Sequence, residues 1–386
     1  MNSSRRILFL ASVPYPEGWA ASARLRNLVA GFESNNWHAN VRIFGRPPEE
    51  AIDSAYGNVR WCLPDVRGGR LGRQYAYYIA PRTLARQILY ESEYKAYDCV
   101  YLYARAYTVV APLIAAFQRI GVRVVVDVNE AHSHFSGLGG AFSPNFWNSY
   151  LGYRYAIPRA NVVACISQQL CGFYRDLGAN TILLPSVEFY DQRVAKDEFK
   201  QARFLYSGSF YERDNPSLML DVIEGLLRKG VELDFMITGP YRSNPRAQEY
   251  LDRIESSDWL RGNTRLLGRV PEEEYVEIKR LTDFGFILRR DHHAERASFP
   301  TRLVEFIRDG IIPITTKVPD VPDYLNHGVD SVFTASDSVD TTVEYLADAC
   351  ANPVEINRLR DSAFNAGEQH FCAIKNVAWL IEHLHG

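Results

Sequence analysis

Residues 288–315, LRRDHHAERASFPTRLVEFIRDGIIPIT, are the part of the sequence that decides the fold. They predict the end of a strand, a charged loop, a short helix, a glycine turn and a buried strand, in that order. Such an alternation of strands and helices is typical of a parallel α/β sheet. Ligands of these sheets bind beyond the carboxyl ends of the strands, so the charged loop and the start of the helix predict a ligand site.

The helix of this segment carries Arg302 and Glu305. Residues 298–301, SFPT, supply a capping residue and a proline, which favour a helix start. Residues three apart lie on one face of a helix, so the two charged side chains lie together. Free N–H groups and a guanidinium suit a diphosphate, and a carboxylate accepts hydrogen bonds from ribose hydroxyls, which predicts a sugar-nucleotide site. An ion pair on a solvated helix is the alternative.

The run SFPTRLVEF, followed after three residues by GIIPIT, resembles the SPTK-x3-EY-x3-G-x-PVI segment of family 4 glycosyltransferases with the GT-B fold. Arg302 stands where that family usually has lysine, and Glu305 stands at its second glutamate. Many members carry another glutamate eight residues earlier, where this chain has Ala297, with Glu295 two residues before it. The resemblance covers most of the chain and implies an α/β protein of two Rossmann-like domains that face each other across a cleft.

Length and charge limit the classes of protein to consider. The 386 residues suffice for two domains of ordinary size, each with its own core. A formal net charge of −3 gives no general attraction for nucleic acid or anionic membrane. The cysteines lie scattered, without C-x-x-C or zinc spacing, and predict thiols in a reducing compartment: Cys62, Cys99, Cys165, Cys171, Cys350 and Cys372.

The N-terminal sequence MNSSRRILFLASVPYP has basic residues before an apolar run. That run is too short for a signal peptide and predicts the first strand of an α/β domain. No apolar run approaches the roughly 18 residues that a membrane span needs. We therefore expect a cytoplasmic protein with at most peripheral membrane contact.

Short apolar runs alternate with helical patterns along the chain. Predicted strands cover residues 7–12, 40–44, 99–103, 122–128, 162–166, 182–185, 204–207, 234–238, 264–267, 284–288, 311–315 and 331–334. Two Rossmann-like domains follow, residues 1–186 and 187–369, with the boundary in a polar stretch. By resemblance to the family, a C-terminal helix in residues 370–386 crosses back to the first domain.

Residues after the first, third and fourth predicted strands are the acceptor-side candidates. Gly18, among small residues before a helix, lets a backbone approach a donor or an acceptor closely, although a plain turn is the alternative. Arg24 and Arg26 resemble the arginine of the family's first helix, with a bridge between the two domains as the alternative for one of them. The resemblance places Asn129 and Glu130 at the acceptor-facing strand end. Glu130 is then the predicted base for an acceptor hydroxyl, with a helix cap or loop carboxylate as the alternative. Further predicted acceptor-side residues are Tyr103, Arg105 and His132, with a surface-loop position as the alternative for His132.

The first strand of the second domain ends in a loop, SGSFYERDNP, that resembles the family's G-R-L-x-x-E-K-G segment, whose glycine turn and base hold the donor diphosphate. Gly208 matches the glycine, Ser209 replaces the arginine, and Arg213 stands one place before the lysine. Arg302 or Arg290 is then expected to supply a further cation. The predicted donor-binding residues are Gly18, Gly208, Ser209, Arg213, Arg269, Val270, Arg290, Ser298, Pro300, Thr301, Arg302, Leu303 and Glu305, with Arg269 and Val270 in the turn that reads the nucleobase in relatives.

The predicted activity is transfer of a sugar from a nucleoside diphosphate sugar to a hydroxyl of a glycan, lipid-linked or small-molecule acceptor, in glycan or glycoconjugate biosynthesis. Retention of configuration is expected by analogy with family 4, and Asn129, Glu130, Arg213 and Arg302 are the catalytic candidates. No cofactor or metal is expected, since the sequence has no Asp-x-Asp and no metal-spaced ligand cluster. Dinucleotide and P-loop fingerprints are absent. A GT-B sugar-nucleotide epimerase and a non-catalytic sugar-binding relative remain as alternatives.

Overall fold

The computed structural model describes most of the chain as two compact α/β units. The described residues are 5–13, 15, 20–43, 59–61, 79–130, 144–196, 199–290 and 297–384, with only the backbone given for residues 20, 59–61 and 144–145. The first unit comprises Met1–Val187, Ala297–Phe299 and Ala373–Gly386, and the second comprises Glu188–Arg296 and Pro300–Cys372.

The first unit is built on a parallel sheet of seven strands in the order β3-β2-β1-β4-β5-β6-β7. The strands are β1 Arg5–Ala11, β2 Trp37–Ile43, β3 Val59–Trp61, β4 Cys99–Tyr103, β5 Arg123–Val128, β6 Val162–Cys165 and β7 Thr181–Leu183. Both β4 and β5 are rich in apolar, β-branched or aromatic residues and are buried along almost their whole length, as expected for inner strands covered on both faces.

Helices cover the first sheet: α1 Ala20–Ser34, α2 Ala80–Tyr90, α3 Tyr107–Arg119, α4 Pro144–Leu151, α5 Gln168–Asp176 and, at the end of the chain, α14 Ala373–His383. Helix α1 buries Leu25, Leu28 and Phe32 on one face, the spacing of an amphipathic helix. The C-terminal helix α14 packs against α1, where a Cβ on Gly31 would lie 2.8 Å from a methyl of Val377. Glycine at this position therefore permits the close helix packing.

The second unit repeats the design with six parallel strands in the order β10-β9-β8-β11-β12-β13. They are β8 Ala202–Ser207, β9 Leu233–Thr238, β10 Thr264–Gly268, β11 Phe284–Ile287, β12 Ile312–Thr315 and β13 Val332–Phe333. The helices are α6 Pro216–Arg228, α7 Ala247–Ser256, α8 Leu260–Asn263, α9 Glu272–Leu281, α10 Thr301–Arg308, α11 Val321–Tyr324, α12 Val339–Cys350 and α13 Pro353–Phe371.

The core of the second unit sits between this sheet and its helices. Phe204 of β8 stacks on Phe284 of β11 with ring centroids 5.1 Å apart, and Phe286 lies 6.1 Å from Phe204. Helix α6 begins at Pro216, a residue suited to the first helical position, and buries most of its apolar side chains. This packing fixes the neighbouring strands β8 and β11, whose carboxyl ends carry the residues considered below.

Each of the twelve predicted strands is observed, and the prediction of two Rossmann-like α/β domains is confirmed. The additional strand β3, of only three residues, was not predicted, because so short a run carries no alternation to detect. The predicted strand at the N-terminus is β1. Among the described residues Cys99, Cys165, Cys171, Cys350 and Cys372 are free thiols.

Candidate nucleotide site in the second unit

The carboxyl ends of β8 and β11 are adjacent in the second sheet, and the strand order reverses between them. Connections from the two strands leave in opposite directions at such a point, which opens a crevice where ligands of doubly wound sheets bind. Residues 208–215 follow β8, and Arg289 and Arg290 follow β11 shortly after its last residue. The topology therefore brings the predicted diphosphate loop and the predicted cations to one edge.

Three glycines hold the strand ends of this edge together. The amide of Gly208 donates to Thr238 O over 2.9 Å, and the amide of Gly239 donates to Gly268 O over 2.8 Å. A Cβ added to Gly239, whose φ is +111°, would overlap with Gly208 O. Only glycine accepts both this φ and this close approach. The two backbone hydrogen bonds join the loops that follow β8, β9 and β10.

The loop after β8 is fixed by Tyr206. Its hydroxyl donates to Asp214 Oδ2 over 3.2 Å and accepts from the amide of Phe210 over 3.0 Å. Asn244 adds hydrogen bonds to the carbonyl oxygens of Ser209 (2.8 Å) and Phe210 (3.0 Å). The predicted donor residues Gly208 and Ser209 therefore lie in a rigid, half-buried turn.

The arginines around this loop differ in how strongly they are paired. Arg290 donates to Glu212 over 2.7 Å, and its amide donates to Arg213 O over 2.9 Å. Arg289 pairs with Asp214. Arg213 is 51 % exposed, and its Nε lies 3.8 Å from Asp214, beyond hydrogen-bonding distance. Of the cations predicted for the phosphates, Arg290 is thus tied to a carboxylate, whereas Arg213 is held more loosely.

Helix α10 begins at Thr301, and no side chain caps its start. Its N-cap position is Pro300, and no side chain caps it, so the prediction that residues 298–301 supply a capping side chain is wrong. Ser298 is half-buried and belongs by its contacts to the first unit. The amide of Leu303 donates to Pro300 O over 2.9 Å. The amides of Thr301 and Arg302 precede the first intrahelical bonds, and the uncapped helix end suits an anion.

Arg302 is exposed at the first turn of α10. Burial raises the pKa of Tyr206, Asp214 raises it further, and the positive charge of Arg302 partly offsets both. The charge of Arg302 therefore acts on the Tyr206 hydroxyl that organises the turn.

Glu305 lies one turn further along α10, and its partner is Lys279 of α9. Lys279 Nζ lies 2.8 Å from Glu305 Oε1 and 2.7 Å from Asp309 Oδ2. The side chain of Lys279 is 5 % exposed and that of Glu305 is 28 % exposed. The observed ion pair of Glu305 is thus with Lys279 on α9 and leaves the Glu305 side chain partly exposed.

The turn after β10 carries the residues predicted to lie at the nucleobase. Gly268, with a φ of +70°, makes this turn, Arg269 is exposed and Val270 is half-buried. The Gly268 carbonyl accepts from Gly239, which links the turn to the edge that carries Gly208. The turn is thus joined through backbone bonds to the candidate diphosphate loop.

Acceptor-side candidates in the first unit

Asn129 and Glu130 follow β5, beside the end of β4. Asn129 donates to the hydroxyl of Tyr103, which is itself buried. Arg105 Nη1 lies 2.8 Å from Glu130 Oε2, and both side chains are about half exposed, at 44 % and 50 %. The structure brings four of the predicted residues together at the carboxyl ends of two neighbouring strands.

Arg24 is placed differently from the other acceptor-side candidates, since it is 3 % exposed. It donates to both carboxylate oxygens of Asp127, at 2.9 and 3.2 Å, and to the carbonyls of Pro185 (2.6 Å) and Leu184 (2.9 Å). Burial lowers the pKa of Arg24, but Asp127, Tyr101 and Tyr103 together raise it by more, so the net shift is upward. Its bonds join α1 to the ends of β5 and β7, a structural role.

Two predicted residues, Gly18 and His132, lie outside the described residues. Within the described ranges no group of three or more His, Cys, Asp or Glu side chains could hold a metal ion. No helix in that same part of the chain is long and apolar enough to cross a membrane.

The sequence did not single out Tyr206, Gly239 or Lys279. Gly239 follows a strand and precedes proline, a signal that identifies a turn but not the backbone approach to Gly208. Lys279 carries no local signal, because lysine near the end of a helix is ordinarily solvated. Its burial depends on Glu305 and Asp309, which lie on a different helix.

Comparison with known proteins gives one match to a family model, in the second half of the chain. Residues 188–369 match the model of the glycosyl transferases group 1. No curated protein sequence matches the chain.

Solved structures resemble the chain over nearly its whole length. HepE of Anabaena in complex with UDP gives a TM-score of 0.70 at 13 % identity, covering 98 % of this chain and 99 % of HepE. A glycosyltransferase of Rickettsia africae gives 0.70 at 10 % identity, with 99 % and 98 % covered. Sucrose-phosphate synthase of Thermosynechococcus elongatus gives 0.70 at 10 % identity, with 98 % of each covered. At such low identity the likeness establishes the fold, which is GT-B.

Proposed function

We propose that this GT-B chain, whose residues 188–369 match the glycosyl transferases group 1, moves a sugar from a nucleoside diphosphate sugar to an acceptor hydroxyl. The observation that carries the proposal is the uncapped start of α10, with Arg302 in its first turn and Glu305 one turn later on the same face. This arrangement lies inside the segment that matches the family.

The donor is proposed to bind at the carboxyl edge of the second sheet. Backbone amides at the start of α10, Arg302 and Arg213 would hold the diphosphate, and the Gly208 turn would let it approach closely. The exposed part of the Glu305 carboxylate would accept from ribose hydroxyls. Because HepE was solved with UDP, UDP is the first nucleotide to test.

The reaction forms a bond between the acceptor oxygen and the anomeric carbon and breaks the bond from that carbon to the diphosphate oxygen. Negative charge grows on the leaving diphosphate, and Arg213, Arg302 and the helix start stabilise it as preorganised donors. The acceptor hydroxyl loses its proton, and Glu130 is the proposed base. The mechanism uses no divalent metal, because arginines take the place of the cation.

Retention of the anomeric configuration is proposed by analogy with family 4 glycosyltransferases. Ala297, at the position of their first glutamate, leaves the sugar-facing part of the donor site without that carboxylate. A GT-B epimerase acting on the same donor is the second candidate, because the nucleotide-holding residues serve either reaction equally. Glycan or glycoconjugate biosynthesis is the proposed setting.

A radiolabelled donor experiment separates the candidates. Sugar nucleotides labelled in the sugar are incubated with the protein, with and without a mixture of glycan and lipid-linked acceptors. A labelled product that appears only with acceptor supports transfer, and its anomeric proton coupling tests retention. A labelled epimer formed without acceptor supports the epimerase. Binding of the nucleotide with neither product contradicts both activities.

A further inference from the structure

Lys279 is a buried cation between two carboxylates of another helix. It lies near the end of α9, and its Nζ bridges Glu305 Oε1 of α10 and Oδ2 of Asp309, the residue that ends α10. The side chain of Lys279 is 5 % exposed. The ammonium also lies 4.8 Å from the centroid of the Tyr275 ring, one turn earlier on α9. Three contacts on different sides thus restrict the lysine to one position.

The electrostatics of this cluster keep the lysine charged. Burial lowers the pKa of Lys279, but Glu305 and Asp309 raise it by more, so the net shift is upward. Asp309 is in turn bound by Arg308 at 2.8 and 3.0 Å, and Arg308 reaches Glu188 at 2.8 Å. Asp309 therefore pairs with two cations, Lys279 and Arg308. Among the ion pairs of the described residues, Glu305 pairs with Lys279.

The bond from Lys279 fixes one oxygen of a carboxylate that is otherwise free to rotate. An exposed glutamate on a helix samples several rotamers, and a ligand that needs one of them bears the cost of selecting it. Glu305 is held at Oε1 while 28 % of its side chain stays exposed. A carboxylate fixed in this way can accept hydrogen bonds from a ligand without first losing rotamer freedom. Binding sites are preorganised in the same way when neighbouring residues hold the rotamers of their side chains.

We propose that Lys279 is a positioning residue that presents the Glu305 carboxylate to the ribose of the bound nucleotide. The inference rests on the proposed function, because it assigns the ribose to Glu305. It adds that Lys279, a buried residue bonded to Glu305, contributes to specificity for the ribose without contacting the ligand. Lys279 then acts on affinity for the ribose hydroxyls and leaves contacts to the diphosphate unchanged.

The test compares UDP with 2′,3′-dideoxy-UDP, which keeps the base and the diphosphate but lacks both hydroxyls. The quantity measured is the ratio of the two dissociation constants in calorimetry. A Lys279→Met variant leaves two carboxylates of α10 facing an apolar side chain, which endangers folding. The double variant Lys279→Met/Asp309→Asn removes one charge of each sign, and Asp309→Asn alone is its matched control. Lys229→Met, at an exposed lysine paired with Glu344, controls for a lysine loss elsewhere.

We expect Asp309→Asn and Lys229→Met to keep the wild-type preference for UDP and Lys279→Met/Asp309→Asn to reduce it by about tenfold, the scale of a hydrogen bond to a charged group. The same preference in the double variant and in Asp309→Asn would overturn the role of Lys279. Glu305→Gln separates this failure from failure of the proposed function. If Glu305→Gln itself leaves the preference intact, or the wild type has no preference, the ribose assignment fails and the inference fails with it.

Discussion

Arg105 Nη1 lies 2.8 Å from Glu130 Oε2 at the carboxyl ends of β4 and β5. The two side chains remain 44 % and 50 % exposed, so the pair is open to solvent. The hydroxyl of Tyr153 donates to the backbone carbonyl of Glu130, which fixes the main chain beneath the carboxylate. A solvent-exposed carboxylate on a fixed backbone is suited to act as a general base on a substrate. The exposed ion pair with Arg105 contributes little to the free energy of folding.

The first prediction follows from this placement of Glu130. Glu130→Gln keeps the size of the side chain but removes the basic carboxylate, so transfer should fall by at least about 100-fold. Donor affinity and melting temperature should stay close to wild type, because the lost ion pair is exposed. Initial rates, calorimetry with UDP and thermal melting measure the three quantities. Transfer within a few-fold of wild type would assign Glu130 to structure.

The second prediction concerns the phosphates. Arg213→Ala and Arg302→Ala should each weaken UDP far more than uridine, because only UDP carries the charge that the guanidiniums bind. Arg228→Ala is the matched control, since Arg228 is 63 % exposed and paired with Glu224 on α6. Competition binding of both ligands checks the prediction. Equal weakening of UDP and uridine would mean that the change damages the fold or the base pocket.

The third prediction concerns metal ions. Turnover should survive excess EDTA, because the sequence has no Asp-x-Asp pair and the proposed cations are arginines. The assay compares initial rates with EDTA, with Mg²⁺ and with Mn²⁺ after removal of free metal. A complete loss of transfer in EDTA that Mn²⁺ restores would contradict the metal-independent mechanism.

The fourth prediction concerns stability against pH. Burial raises the pKa of Asp309, but Arg308 and Lys279 lower it by more, so its pKa in the folded protein lies below the ordinary value of 3.8. The folded protein therefore binds fewer protons here than the unfolded chain, and the stabilisation is present above about pH 4 and lost as pH falls through the folded pKa. Asp309→Asn should lower the melting temperature at pH 7, and the gap to wild type should narrow toward pH 3. A gap that widens in acid would contradict this assignment.

The sequence predicts the strands well because their signal is local. Runs such as VVVDV after Arg123 and FGFI at β11 are apolar, short and bounded by turns, and both are inner strands. The strand ends then locate Gly208, Arg290 and Glu130 at the sheet edges, since parallel strands present their carboxyl ends together. The short edge strand β3 gives no comparable signal.

What the sequence misses depends on partners far along the chain. Arg24 and Asp127 are 103 residues apart, and nothing near Arg24 distinguishes a buried arginine from one that faces an acceptor. Lys279 and Glu305 are 26 residues apart on separate helices, so their pairing emerges only when α9 and α10 pack. The absence of a side-chain cap on α10 is likewise set by the chain path, which puts Pro300, whose side chain has no hydrogen-bonding group, at the N-cap position.

The most direct test of the donor site is a crystal structure of the protein with UDP. The account predicts the diphosphate between the Gly208 turn and the start of α10, within reach of Arg302, and the ribose hydroxyls within hydrogen-bonding distance of Glu305. UDP bound away from the carboxyl edge of the second sheet, or with its ribose turned away from Glu305, would contradict it.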